Sequence, residues 1–246
     1  MIHRLVIVLL VLVQAGCATA RTAPDRASQA QLANVLFVGN SFTYYNDSLH
    51  NHLRRLMRSA EISRDGRIRI MTISGGHLFE HSGLSGMLQT EDWDIVVLQG
   101  HSLEAHDPDR LKRFFSAARQ HVDAIRKSGA EPLLFMTWAY SGRPEMTQVI
   151  SNNYHRIGRE TGTPVAPVGH AFAQVTRQHP EITLIHEDRR HPTVAGTYLA
   201  ASVFLGVLYG QSAQGLDYTA GLEPEVARVL QDAAWAVVRG QSKGTE

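Results

Sequence analysis

A single cysteine, Cys17, occurs in the chain, so no disulfide can close within it. The disulfide-built small folds are thereby excluded, and stability must come from a hydrophobic core. Neither sign of charge is in excess. Twenty-four Lys+Arg against 23 Asp+Glu leave a formal net charge of +1, which excludes a protein steered to nucleic acid by a basic field. Charged residues make up only 19% and hydrophobic residues 43%, values foreign to disordered or fibrous chains. The 13 histidines fall into no zinc-ligand spacing, and neither a metal nor an organic cofactor is expected. No internal repeat and no linker argues for a second domain.

What remains is 246 residues, enough for one α/β domain preceded by an export segment. Positions 1–20 have the form of a Sec signal: Arg4 supplies the positive start and Leu5 to Val13 an unbroken apolar run, too short to span a bilayer stably. Two cleavages fit. Ala18-Thr19-Ala20 would release a soluble periplasmic or secreted protein. Ala15-Gly16-Cys17 resembles the end of a bacterial lipobox and would leave a lipidated Cys17 as a membrane attachment. The lone cysteine favours the second, and Gln14, where an aliphatic residue is usual, counts against it. Residues 21–31 are polar without apolar period and read as a tether. The domain is expected over 32–240, with a frayed tail at 241–246.

Within the domain, strand and helix patterns alternate. NVLFV at Asn34–Val38 reads as a first strand, and Gly39-Asn40-Ser41 interrupts it. A helix follows from about Ser48, with Asp47 or Ser48 as its cap. RIRIMTI, Arg67–Ile73, is a second strand closed by Ser74-Gly75-Gly76. DIVVL, Asp94–Leu98, has the continuous apolar character of a centre strand covered on both faces. A long helix is predicted over Pro108–Lys127, a fourth strand at Glu131–Thr137, and a short fifth near Thr163–Ala166. Further helices are expected at Met146–Gly158, at Gly169–Gln178, from Pro192, and at Pro224–Val238. This alternation predicts a three-layer α/β/α sandwich on a mostly parallel sheet. The clusters at 39–41, 74–76 and 99–102 follow strands, and ligands bind at the carboxyl ends of such strands.

Three residue types there carry chemistry. A serine hydroxyl becomes a nucleophile when a base takes its proton, and the usual base is a histidine held in one tautomer by a carboxylate. Ser41 follows the first strand; His191 lies near the other end, with Asp188 three residues before it, close enough to meet in one tight turn. Donors for an oxyanion are available in the Ser41 N–H, a Gly75 or Gly76 N–H, and the Gln99 amide. Each residue alone has a plainer reading as turn, cap or surface pair; their joint order and context make a serine hydrolase a candidate beside those readings. His101 and His81 read as pocket-wall or surface residues. Asn40, His101, Trp138 and Tyr140 are candidate pocket residues, the last two able to stack on a sugar or line an acyl pocket, or to be ordinary core.

VLFVGNSFTYYND and EDRRHPTVAGTYLAA resemble the first and last blocks of the SGNH hydrolases, the superfamily of GDSL-like esterases and lipases. ISGG at Ile73–Gly76 resembles the second block. VVLQGHS departs from the third, which has an asparagine where this chain has none; it is similar to the block of carbohydrate acetylesterases in that superfamily. The resemblance covers essentially the whole domain. It implies a flavodoxin-like sandwich, catalytic Ser41, Asp188 and His191, and Gln99 supplying the missing amide. No GxSxG elbow surrounds Ser41, as in that superfamily. The expected activity is hydrolysis of carboxylic esters, short acyl groups on a carbohydrate or small molecule. The alternatives are a lipase or thioesterase for longer chains, and a catalytically weak carbohydrate-binding surface protein.

Overall fold

The computed structural model describes residues 34–62 and 66–242. The expected export segment with Cys17, the tether at 21–31 and the final four residues of the expected tail lie outside the described residues.

Five strands form one parallel sheet in the order β2-β1-β3-β4-β5. They are β1 Val35–Gly39, β2 Ile68–Thr72, β3 Ile95–Leu98, β4 Glu131–Phe135 and β5 Val165–Ala166. In register, Val35 sits opposite Ile68 on one side and Ile95 on the other, and Ile95 opposite Glu131. Eight helices accompany them among the described residues: α1 Ser41–Tyr44, α2 Leu49–Ser59, α3 Leu84–Thr90, α4 Pro108–Lys127, α5 Met146–Thr161, α6 Val168–Gln178, α7 Val194–Tyr209 and α8 Pro224–Ser242. A single 3₁₀ turn occupies Leu78–Glu80.

The two-residue period of the strands divides the core. Val35, Phe37, Val97, Leu133 and Phe135 face a layer built from α2, α6, α7 and α8. Leu36, Val38, Val96, Leu98 and Leu134 face α4 and α5, with Leu84 of α3 at the margin. Both faces are therefore covered, which is why these strands read as unbroken apolar runs. α7 is buried nearly all round because α8 packs on its outer side. None of the described helices is long and apolar enough to cross a membrane.

Several boundaries differ from the sequence reading. Neither Asp47 nor Ser48 caps α2 through its side chain: Ser48 Oγ donates to Thr43 O, and Asp47 pairs with Arg55. Asn46, Asp47 and Ser48 instead hold φ of 51°, 62° and 65°, three left-handed residues in a row. That costs about 1–2 kcal/mol at each non-glycine position and must be held by contacts elsewhere. Pro192 does not open α7. It forms an antiparallel bridge with Ile185, and Thr193 is the cap, its side chain accepting from Gly196 N. The last helix runs to Ser242, into the stretch expected to fray.

The strand order places the switch between β1 and β3, where the chain leaves one side of the sheet for the other. In such folds the crevice beyond the carboxyl ends opens there. At the neighbouring strand, Gly169 lets α6 dock on the end of β4: its N–H donates to Met136 O at 3.0 Å, and a Cβ would lie 2.1 Å from Thr137 O. Gly169→Ala should therefore lower stability by about 1–3 kcal/mol through overpacking. Urea unfolding of the two proteins measures it, and equal midpoints would show that the contact yields without strain.

Candidate active site

The chain turns at the end of β1 because two side-chain amides interlock. Asn40 caps α1, its Oδ1 accepting from Phe42 N at 3.1 Å. The same Oδ1 accepts from Gln99 Nε2 at 2.9 Å. Gln99 Oε1 in return accepts from Asn40 N at 3.1 Å and Thr43 Oγ1 at 2.9 Å. Gly39 has to be glycine beside this pair, since a Cβ would meet Gln99 Oε1 at 2.4 Å. Ser41 is thereby fixed at the first helical position, where its N–H has no intrahelical acceptor.

His191 reaches it from the other end of the chain. Its Nε2 lies 2.8 Å from Ser41 Oγ, and its Nδ1 contacts Asp188 Oδ2. Asp188 Oδ1 also accepts the backbone N–H groups of Arg190 and His191, each at 3.0 Å. Burial opposes the charge on Asp188, but the hydrogen bonds from the His191 ring and these two N–H groups outweigh it and hold the carboxyl down to about 2. An ionised carboxylate only accepts, so Nδ1 carries a proton towards Asp188 and Nε2 is the ring nitrogen that faces the Ser41 hydroxyl. Tyr45 stacks on the imidazole at 4.2 Å with parallel planes, and Phe42 meets it edge-on at 5.8 Å.

The loops carrying Ser41 and His191 are tied directly. Asn46 Nδ2 donates to Pro192 O at 2.7 Å and to Thr197 Oγ1 at 2.9 Å. His52 Nε2 in turn contacts Asn46 O at 2.7 Å. These bonds hold the left-handed run at 46–48. A second tie is aromatic. Trp138 is fully buried between Phe42, 4.4 Å away, and Phe172, 4.2 Å away, with nearly parallel rings. Its indole N–H donates to Arg190 O at 3.0 Å.

A cavity of about 180 Å³ opens over Ser41, lined by Asn40, Tyr44, Tyr45, Gly75, His101 and Arg190 among others. Not every expected residue reaches it. Both hydrogens of the Gln99 amide are spent, on Asn40 Oδ1 and on Gly100 O at 2.5 Å, and the side chain is 1% exposed. Its assignment as an oxyanion donor is corrected: it is a buried brace. Gly76 is corrected likewise. Its N–H closes the turn onto Ile73 O at 2.9 Å, with Gly75 at φ +64° in the position glycine favours, and its carbonyl accepts from Asn40 Nδ2 at 3.0 Å. Trp138 belongs to the core rather than the pocket. Tyr140 stands behind the wall, its hydroxyl 2.7 Å from Ser102 Oγ. Gly75, Asn40 and His101 do line the cavity. Burial, with the charges of His77, Arg110 and Arg190 nearby, pushes His101 down to about 4, so it is neutral at pH 7. His81 lies fully buried, away from the cavity, with both ring nitrogens unpartnered among the described residues.

Tyr45, Asn46, Glu104 and Arg190 escaped the sequence reading. Glu104, 1% exposed, accepts from His101 N at 2.7 Å, Leu78 N at 3.2 Å and His77 Nδ1 at 3.1 Å, joining the loops after β2 and β3. An acidic residue shortly after a glycine-bearing strand end was the available signal for it. Arg190, in a polar turn, carried none. No group of three or more His, Cys, Asp or Glu among the described residues is placed to hold a metal.

No protein-family model and no curated protein matches the chain. Solved structures do. A DUF4886 family protein from Bacteroides uniformis superposes with a TM-score of 0.69 at 19% identity, over 84% of this chain and 95% of that one. A candidate SGNH hydrolase from Slackia heliotrinireducens gives 0.58 at 23% identity, over 69% and 95%. An acetylxylan esterase from Geobacillus stearothermophilus gives 0.55 at 18%, over 74% and 95%. The chain thus has the fold of the SGNH and GDSL-like esterases and lipases.

Two outcomes are expected here. Gln99→Ala strands the Asn40 N–H, the Thr43 hydroxyl and half of the Asn40 acceptor in a buried site, and should lower stability by about 3 kcal/mol. A thermal melt reads this; an unchanged Tm would return Gln99 to a purely chemical role. For Asp188, a carboxyl ¹³C titration should show a midpoint near pH 2 that rises in His191→Ala. With the folded pKa depressed, the stabilisation is complete above the unfolded value of about 3.9 and is lost as pH falls towards 2.

Proposed function

We propose that the protein is a serine esterase acting on short acyl esters of a carbohydrate or small molecule. One observation carries the reading: the Ser41 hydroxyl lies 2.8 Å from a His191 nitrogen whose ring is fixed by an ionised Asp188, at the mouth of a cavity beyond the strand ends. His191 takes the Ser41 proton as Oγ attacks the ester carbonyl. Charge on the carbonyl oxygen is met by the N–H groups of Ser41 and Gly75, and by the second hydrogen of Asn40 Nδ2, whose first is spent on Gly76 O. His191 then protonates the leaving alcohol. Water, deprotonated by the same base, releases the acid from the acyl-serine.

Asn40 thus takes the role the sequence suggested for Gln99, and Gln99 orients it. A cavity of about 180 Å³ has little room for a long acyl chain, which supports the short-acyl reading over a lipase or thioesterase. The likeness to an acetylxylan esterase points the same way. The expected export segment would deliver the enzyme to the periplasm or beyond, anchored if Cys17 is lipidated.

Ser41→Ala should reduce ester hydrolysis by at least about a thousandfold with the melting curve unchanged within a degree or two. In a series of 4-nitrophenyl esters from acetyl to palmitoyl, kcat/KM should peak at the shortest chains. Undiminished turnover by the folded variant would remove Ser41 from the mechanism.

A further inference from the structure

The residues lining the cavity include one permanent charge, Arg190, and no carboxylate. Two adjacent arginines precede His191, and they behave differently. Arg189 adopts φ +68° and folds its guanidinium back onto Ser141 O at 3.3 Å. The Arg190 side chain makes no hydrogen bond or ion pair among the described residues. Its backbone, by contrast, is pinned at both ends. The N–H is held by Asp188 Oδ1, and the carbonyl by the indole of Trp138, itself wedged between Phe42 and Phe172. A cation with no side-chain partner among the described residues therefore stands on a fixed backbone beside Ser41 and His191.

We infer that Arg190 selects an ester whose alcohol half carries a carboxylate, the acyl ester of an acidic sugar. The inference rests on the esterase reading and narrows its substrate. The alcohol side follows from the chemistry, since His191 must protonate the leaving oxygen and Arg190 immediately precedes it in that turn. A single negative charge follows from the count of cations. The guanidinium offers a planar fork that matches a carboxylate. His101, neutral at pH 7, supplies no second charge for a phosphate. Ser74, Tyr44 and Ser102 complete a rim of neutral polar groups suited to sugar hydroxyls.

Acetylated glucuronic acid, acetylated glucose and acetylated glucose 6-phosphate separate the possibilities. The wild-type protein should show a kcat/KM at least tenfold higher for the glucuronate than for the glucose ester, expressed mainly in KM. Arg190→Gln should bring that ratio close to one, Arg190→Lys should keep part of it, and the preference should shrink as salt rises. Calorimetry on Ser41→Ala gives a reading independent of turnover: the glucuronate ester should bind at least tenfold tighter than the glucose ester, and the double variant Ser41→Ala/Arg190→Gln should lose the difference. Equal kcat/KM for the two sugars in the wild type, or an unaltered ratio in Arg190→Gln, overturns the inference and leaves the esterase reading intact. Tighter binding of the phosphate overturns the assignment to a single carboxylate. Selective binding by Ser41→Ala with no cleavage of any ester by the wild type supports the role of Arg190 and refutes the esterase.

Discussion

Two side-chain amides on neighbouring parallel strands, Asn40 after β1 and Gln99 after β3, carry the organisation of this site. Each is almost wholly buried, and each supplies what the other lacks: Gln99 Oε1 takes the Asn40 N–H, and Asn40 Oδ1 takes the Gln99 amide. A half-satisfied amide in that position would cost more than an apolar residue, so the pair succeeds only as a complete network. Its effect is geometric. The backbone after β1 turns at once into α1, Gly39 keeps the turn close to the sheet, and the Ser41 N–H is left without an acceptor in its own helix. Asn40 Nδ2 gives one hydrogen to Gly76 O, and no acceptor for the second stands among the described residues.

The rest of the site is fastened to that turn by contacts spanning most of the chain. Asn46 reaches Pro192 and Thr197, and Phe42 stacks on a tryptophan whose indole holds Arg190. Both ties join the β1 loop to the turn before α7. The left-handed run at 46–48 is strained by itself and persists because the Asn46 side chain and carbonyl are bonded outside the run. Strain, stacking and hydrogen bonding thus serve one end, bringing Ser41 and His191, 150 residues apart, within hydrogen-bonding distance. Precision of this kind is what a proton transfer between fixed groups demands.

Charge is distributed with similar economy. Asp188 is ionised and spends its oxygens on His191 and two backbone N–H groups. Glu104 spends its own on the loops after β2 and β3. Among the described residues, the cavity lining holds no carboxylate and one permanent cation, Arg190.

The sequence by itself determined the architecture. Short apolar or alternating runs closed by glycine and polar clusters read as strands, and with helical periods between them they read as a parallel sheet with helices on both faces. Asp188 and His191 could be paired on the sequence because their local spacing lets them meet in one turn, whereas Ser41 stood out by its place after the first strand and by the resemblance of its block. Tertiary structure decided what each donor faces. Gln99 reads on paper as an amide free at a strand end; only the register of β1 against β3 places Asn40 beside it and consumes both hydrogens. Trp138 reads either as a pocket residue or as ordinary core until Phe42 and Phe172 are seen to close over it. Gly76 gives up its N–H to a turn that composition does not specify. Arg190 is one charged residue among several in a polar loop, and its freedom appears only once Arg189 is seen bonded elsewhere. Local pattern fixes elements because it acts within a few residues; the assignment of a polar atom depends on partners tens to more than a hundred residues away, and those the fold alone supplies.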